Sequence, residues 1–282
     1  MAMAGKSRAQ AGTKAGGGGA IRVGIGGWTF EPWRGPFYPE GLTQKRELEY
    51  ASRKVTAIEI NGTYYGAQKP ASFAKWRDEA PEGFVFAVKG PRFTTNRRVL
   101  AEAGPSVERF ITGGVLELKE KLGPINWQFL PTKAFDPEDF EAFLKLLPAS
   151  HEGVPLRHVV EVRHPSFRVP DFVALLRAHG VATVVTDSAE FPQIPDVTAA
   201  FVYARLQRAE DSEALGYPRP VLAEWAGRAR DWAAGKPEAG LELVAAAPKP
   251  AAARDVFVFM INGFKPKAPA AAMALLEQLS AK

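Results

Sequence analysis

Apolar, β-branched and aromatic residues gather along the chain in eight short runs, Ile21 to Gly26, Thr56 to Ile60, Phe84 to Val88, Ile125 to Leu130, His158 to Val162, Ala182 to Thr186, Phe201 to Leu206 and Val256 to Ile261. Each is followed by a stretch with helical character or with the length for a helix. Strand and helix in alternation predict parallel strands. Several runs are apolar almost throughout, as expected of strands covered by protein on both faces. Eight such units close a barrel, so the predicted fold is α/β, a (β/α)8 barrel of the TIM type over residues 21–282. Helices are expected over Pro137 to Leu147, Pro170 to His179 and Pro269 to Leu279, where proline near the start costs no amide hydrogen bond. Weaker helical patterns cover Thr43 to Arg53, Pro70 to Asp78, Val107 to Lys121 and Pro220 to Ala234. The Ala- and Pro-rich segment Val244 to Ala253 reads as a loop.

Composition adds limits. With 46% hydrophobic and 24% charged residues, the chain has the balance of a globular protein. It has no cysteine, which excludes disulfides, thiolate nucleophiles and cysteine-ligated zinc and fits a reducing compartment, so a cytoplasmic location is expected. Of the 36 Lys and Arg, three (Lys6, Arg8 and Lys14) lie in the first twenty residues, which contain no acid, leaving 33 against 31 acids in the remainder. Residues 1–20 therefore read as a disordered basic, glycine-rich tail, and the barrel as nearly neutral. Such a tail can touch nucleic acid, but solvation is its commoner fate and nucleic acid is not the favoured partner. No run reaches the roughly 20 apolar residues of a membrane helix.

In a barrel of this type function sits at the carboxyl ends of the strands. Every predicted strand exit carries polar or aromatic residues: Trp28 after the first; Glu59, Asn61, Tyr64 and Tyr65 after the second; Lys89 and Arg92 after the third; Gln128 in the fourth. The fifth delivers Glu161, Arg163 and His164, the sixth Asp187, the seventh Tyr203 and Arg205, and the eighth Asn262. Two carboxylates, Glu59 and Glu161, can divide acid and base duties if their surroundings separate their pKa values. Equally, the charged residues can pair as a structural network in the barrel mouth, since buried charges demand partners. Lys89, Arg92, Arg163 and Arg205 suit an anionic substrate, and Trp28, Tyr64, Tyr65 and Tyr203 can stack on a ring or serve as core plugs. Glu59, Glu161, Asp187 and His164 are the residue types for a divalent-metal site, but the four histidines show no HxH, HExxH or HxxxH spacing and no metal site is assigned. There is no P-loop, GxGxxG or GxSxG motif.

The segments GIGGWTFEPWRGPFYP, IEINGTYYGAQKPASFAKW, FVFAVKGPRFTTNRRVL, LGPINWQFLP, VVEVRHPSF and FMINGFKPKAPAAAMALLEQL, in this order, resemble the YecE-like proteins, domain of unknown function 72, over about residues 21–280. The resemblance implies the same barrel and points to Trp28, Trp33, Glu59, Asn61, Tyr65, Lys89, Arg92, Gln128, Glu161, Arg163, His164, Asp187 and Asn262 as characteristic residues. Two departures stand out, Asn96 where such proteins often carry histidine, and YARLQ at 203–207, which lacks a histidine-glycine pair. The family has no established activity to transfer, and no cofactor is implied. The expectation is an enzyme, a hydrolase or isomerase, acting on a small anionic or sugar-like substrate, with Glu59, Glu161 and Lys89 as catalytic candidates. Trp28, Asn61, Tyr65, Arg92, Gln128, Arg163, His164, Asp187, Tyr203 and Asn262 would bind that substrate. The alternatives are a non-catalytic module binding a metabolite or nucleic-acid fragment, and a divalent-metal-dependent phosphodiester hydrolase.

Overall fold

Eight parallel strands hydrogen-bond side by side in chain order and close on themselves: β1 (Ala20–Gly26), β2 (Ala57–Ile60), β3 (Val85–Lys89), β4 (Leu122–Gln128), β5 (His158–Glu161), β6 (Ala182–Thr186), β7 (Phe201–Leu206) and β8 (Asp255–Met260). Closure is made by β8 on β1, Val256 opposite Ile21 through Met260 opposite Ile25, and by β1 on β2, Gly24 opposite Ala57 through Gly26 opposite Glu59. The structure is a computed structural model and describes residues 13–14, 19–237, 239–250 and 252–281. The barrel is the TIM-type architecture expected from the eight runs, with strand limits within a few residues of the predicted ones. Most of the basic, glycine-rich tail lies outside the described residues. Within it, Thr13 and Lys14 pair antiparallel with Ile21 and Ala20.

Helices cover the outside: α1 (Glu47–Ala51), α2 (Pro70–Glu79), α3 (Gly104–Thr112), α4 (Pro137–Lys145), α5 (Pro170–His179), α6 (Arg219–Ala233) and α7 (Ala268–Ser280). Six of them, α2 to α7, begin with proline in the first two positions, where the missing N–H is one the helix would leave unpaired. Asp136 caps α4 by accepting from the amides of Glu138 and Asp139.

Two expectations are corrected. The helix predicted over Val107 to Lys121 breaks at Gly113–Gly114, where Gly114 takes φ 117°, and resumes as a 3-10 segment, Val115–Lys121. The connection between β6 and β7, residues 187–200, carries no helix. Pro192 and Pro195 break the backbone ladder there. Asp196 and Thr198 also spend their side chains on backbone amides, of Val244 and Ala245 and of Thr183 respectively. The segment Val244 to Ala253 is irregular where it is described, as expected.

Alternation along the strands separates two cores. Outward-facing positions such as Val23, Ile25, Ile58, Val88 and Val160 pack under the helices in one large cluster. Inward-facing positions form a second, Ala57, Val85, Ala87, Val159, Ala182, Val184, Phe201, Tyr203, Phe257, Phe259 and Ile261, which fills the barrel. Beneath this aromatic layer, at the amino-terminal end, Asp255 bridges Arg22 and Arg157 at 3.6 and 3.1 Å, and Arg157 lies over the ring of Phe257. Ion pairs and aromatic rings thus fill the lower half of the barrel.

Close strand contact demands small residues at some positions. A Cβ on Gly24 would stand 2.1 Å from the carbonyl oxygen of Ala57 and 3.0 Å from the Phe259 ring. Gly24→Ala is therefore expected to destabilise the fold by about 1–3 kcal/mol, as overpacking does. Urea denaturation measures this, and an unchanged midpoint would contradict the close approach.

Candidate active site

The inward-facing alternation continues upward past the aromatic layer and changes chemistry. Glu59 stands one residue before the end of β2, Lys89 ends β3, Asn126 and Gln128 alternate in β4, Glu161 ends β5, and Tyr203 and Arg205 alternate in β7. Closure of the sheet brings these side chains into one layer across the barrel. Arg205 lies between the two carboxylates. Its Nη2 donates to Glu59 Oε1 at 2.9 Å and its Nη1 to Glu161 Oε2. The phenol of Tyr203 donates to Glu59 Oε2. Asn126 Nδ2 spans both acids, 3.5 Å from Glu59 Oε2 and 3.3 Å from Glu161 Oε2. Arg163 completes the set, giving Nε and Nη2 to Glu161 Oε1 at 3.0 and 2.7 Å, and Nη2 also to Gln128 Oε1 at 2.9 Å.

Burial sets the electrostatics. Glu59 and Arg205 are 0% and 1% exposed, so neither charge would persist without its partners. For Glu161 burial alone pushes the pKa up, but Arg205, Arg163 and Lys89 together outweigh it and hold the carboxyl at about 2. For Arg205 burial works against the charge, and the attraction of Glu161 and Glu59 overcomes it. Burial and the neighbouring Glu59 carboxylate keep the Tyr203 phenol neutral. Lys89 behaves differently. Burial, then the positive charge of Arg205, lowers its pKa to about 8 against the opposing pull of Glu59 and Glu161.

Above this layer opens a pocket of about 600 Å³. Its floor includes Lys89, Gln128, Arg163 and Arg205, its walls Trp28, Trp76 and Tyr65, and its amide groups Asn61 and Asn262. Local turns place these residues. Gly27 takes φ 74° and gives its amide to the Glu59 carbonyl, turning the chain after β1 so that Trp28 faces the mouth. The single helical turn Gly62–Tyr65 is pinned by Thr63, whose hydroxyl donates to the carbonyl of Lys89 at 2.6 Å. Trp28 meets Trp76 of α2 edge to face, with centroids 5.1 Å apart. Tyr65 is 72% exposed at the rim, with Arg92 6.0 Å above its ring. Lys265 lines the pocket beside Phe30 and Trp33, its pKa lowered by burial.

The residues singled out in the sequence thus fall into three groups. Trp28, Asn61, Tyr65, Lys89, Gln128, Arg163 and Asn262 line the pocket. Glu59, Glu161 and Tyr203 lie in the polar layer without lining the pocket; all four carboxylate oxygens accept hydrogen bonds there. Arg92, His164 and Asp187 stand outside the pocket lining. His164 turns its Nδ1 back to Ser166, 2.8 Å from its hydroxyl and 3.2 Å from its amide, and caps a 3-10 turn. Asp187 lines a neighbouring cleft of about 420 Å³, where it accepts from Tyr217 at 2.8 Å and from the Gln207 amide. Burial raises its pKa. Among the described residues no three His, Asp or Glu side chains gather in a group suited to a metal ion. Sequence reasoning missed Asn126, Trp76 and Lys265. Asn126 had a signal, a polar residue two positions before Gln128 and so on the same face of β4.

The model of a family described as a protein of unknown function, DUF72, matches residues 22–282. The chain belongs to the DUF72 family. A DUF72 protein of Thermotoga maritima has a crystal structure similar to this one, with 24% sequence identity, 93% of this chain and 99% of that chain covered, and a TM-score of 0.70. A DUF72 protein from Enterococcus faecalis is similar at 17% identity, 93% and 98% coverage and a TM-score of 0.64. At these identities the likeness shows the fold alone. No curated protein matches the chain. Within the DUF72 barrel described here, no helix among the described residues is long and apolar enough to cross a membrane.

Two outcomes follow for stability. Arg205→Met leaves two buried carboxylates facing each other and is expected to cost about 3–5 kcal/mol in urea denaturation; a loss within the scatter of surface variants would refute the central role of Arg205. Acid should destabilise the fold in two windows. His158 accepts from Trp127 on Nδ1 and meets the Pro148 carbonyl on Nε2, and burial lowers its pKa to about 4. The unfolded chain takes up that proton first, so stability present above the ordinary 6.5 is lost as pH falls towards 4. Glu161, held at about 2 against an ordinary 4.5, contributes fully above 4.5 and loses its share as pH falls towards 2. Unfolding midpoints followed against pH should show both limbs, with His158→Phe removing the first and Glu161→Gln the second.

Proposed function

We propose that this barrel is an enzyme that binds a small anionic, sugar-like or ring-bearing substrate in the 600 Å³ pocket and acts on it as an isomerase or hydrolase. One observation carries the reading: three cations, Lys89, Arg163 and Arg205, meet only two carboxylates, and the excess positive charge faces the pocket. Arg163 Nη1 and Lys89 Nζ donate no hydrogen bond to any described residue. A bound anion would balance that charge, and a guanidinium suits planar oxyanions.

The remaining roles follow from placement. Trp28, Trp76 and Tyr65 offer apolar walls for a sugar face or a ring. Asn61, Gln128 and Asn262 supply amides that orient hydroxyl or carbonyl groups. Glu59 and Glu161 hold the cations in register. Lys89, titrating at about 8, is the pocket group best matched to proton transfer near neutral pH. A second reading, a binding module without turnover, draws on the full engagement of both carboxylates, which leaves neither free as a general base. The same engagement weakens the case for a metal-dependent phosphodiester hydrolase, since neither acid has a free oxygen for an ion.

Calorimetric titration of the full chain with sugar phosphates, sugar acids and inorganic phosphate tests anion binding. Arg163→Gln should weaken the best ligand about 10- to 100-fold, the worth of a charge-assisted hydrogen bond. If no anion binds saturably, or Arg163→Gln binds as tightly as wild type, the reading fails. Turnover whose rate rises with pH through about 8 identifies the enzyme; saturable binding of the same ligands without turnover identifies the binding module.

A further inference from the structure

Lys89 differs from the two arginines of the polar layer, Arg163 and Arg205, in what surrounds its charge. Arg205 is clasped by two carboxylates, and Arg163 is tied to Glu161 and Gln128. Lys89 Nζ has no carboxylate within 4.0 Å and donates no hydrogen bond among the described residues; it sits 4.4 Å from the centre of the Tyr64 ring. Its side chain rises from the end of β3 at the pocket floor, and the residue is only 8% exposed. Two guanidinium groups, of Arg205 and Arg163, are close enough to oppose its charge. A buried amine beside other cations and without a contacting counterion is the environment in which lysine serves as a nucleophile towards carbonyl carbon.

We propose that Lys89 forms an imine with the carbonyl carbon of a small 2-oxo acid whose carboxylate is held by Arg163. The inference rests on the reading of this pocket as an anion-binding active site and goes beyond it by assigning a covalent step and a substrate class. A 2-oxo acid carries a carbonyl beside a carboxylate, and the pocket floor offers both an undonated amine and a guanidinium with a free Nη1. Gln128 and Asn61, both lining the pocket, offer amides to the carbonyl oxygen. In the step itself the Nζ lone pair bonds to the carbonyl carbon while the C=O π pair moves to oxygen, giving a carbinolamine. Both Nζ protons then leave, in net terms, with that oxygen as water, and C=N replaces C=O. No oxidant or reductant is consumed. Protonated, the imine draws electrons from the neighbouring C–C or C–H bond, which is the chemistry such a lysine supplies.

At neutral pH an amine titrating at about 8 holds roughly two orders of magnitude more of the free base than one at the ordinary 10.5. The full chain is therefore incubated with pyruvate or 2-oxoglutarate, reduced with sodium cyanoborohydride, and mapped by peptide mass spectrometry, while thermal shift reads binding of the same probes without reductant. The expected result is one reduced adduct, at Lys89, absent in Lys89→Arg and increasing as pH is raised through about 8. Mapping of the wild-type adduct decides the matter even if the variant folds poorly. Thermal stabilisation without an adduct, or adducts spread over surface lysines, overturns the imine and leaves the anion-binding reading standing. Neither adduct nor stabilisation with either probe also overturns the imine, while the anion-binding reading is then judged by the sugar phosphates and phosphate of the preceding titration.

Discussion

One guanidinium, that of Arg205, governs the upper half of the barrel. It comes from β7 and is bound by Glu59 of β2 and Glu161 of β5, so a single side chain ties together strands far apart around the ring. Removing two carboxylates and an arginine from water is costly, and only near-complete hydrogen bonding makes it tolerable. Tyr203 and Asn126 supply the bonds that Arg205 leaves unmade. Because the carboxylates are consumed below, the cations left over are presented above, and the pocket inherits its sign from the layer beneath it.

The interior of the barrel therefore changes character along its axis. Asp255 pairs with Arg22 and Arg157 at the amino-terminal end, buried Phe201, Phe257 and Phe259 fill the middle, and the charged layer sits on that apolar floor. The low polarizability of the floor is what makes each charge above it strongly dependent on its neighbours. It also explains why lowered pKa values mean opposite things for two groups of the same layer, a charge held more firmly at Glu161 and less firmly at Lys89. Glu161 is in contact with cations, whereas Lys89 has cations near and no acid in contact.

Much of the fold could be read in the sequence because the strands are buried on both faces and stand out as apolar runs. The helices announced themselves through proline at their starts. What could not be read was the connection over residues 187–200, where prolines and side-chain-to-backbone bonds replace an expected helix, and the break at Gly113–Gly114. The site was legible as a set of residue types at strand ends, since Glu59, Lys89, Glu161 and Arg163 interrupt or end apolar runs. Their pairing was not, because Arg205 and Glu59 are 146 residues apart and only closure of the sheet brings them together. Asn126 was less legible because it lies inside an otherwise apolar run, two residues short of the strand end that Gln128 occupies. His164 and Asp187 look like site residues in the sequence, yet His164 turns to Ser166 two residues on, and Asp187 to Gln207 and Tyr217, brought to it from beyond β7 by the fold.

The connection without a helix has a consequence for how such a barrel can diverge. It carries Phe191, whose ring lies 4.3 Å beneath the guanidinium of Arg163, so an irregular surface segment presses directly on a group at the pocket floor. A helix in that place would be locked to its neighbours by packing. A loop is free to change length and sequence, and each change would alter how firmly the guanidinium is held. The charge and shape of the pocket floor can thus drift through one peripheral segment while the strands, and the charges they bury, remain untouched.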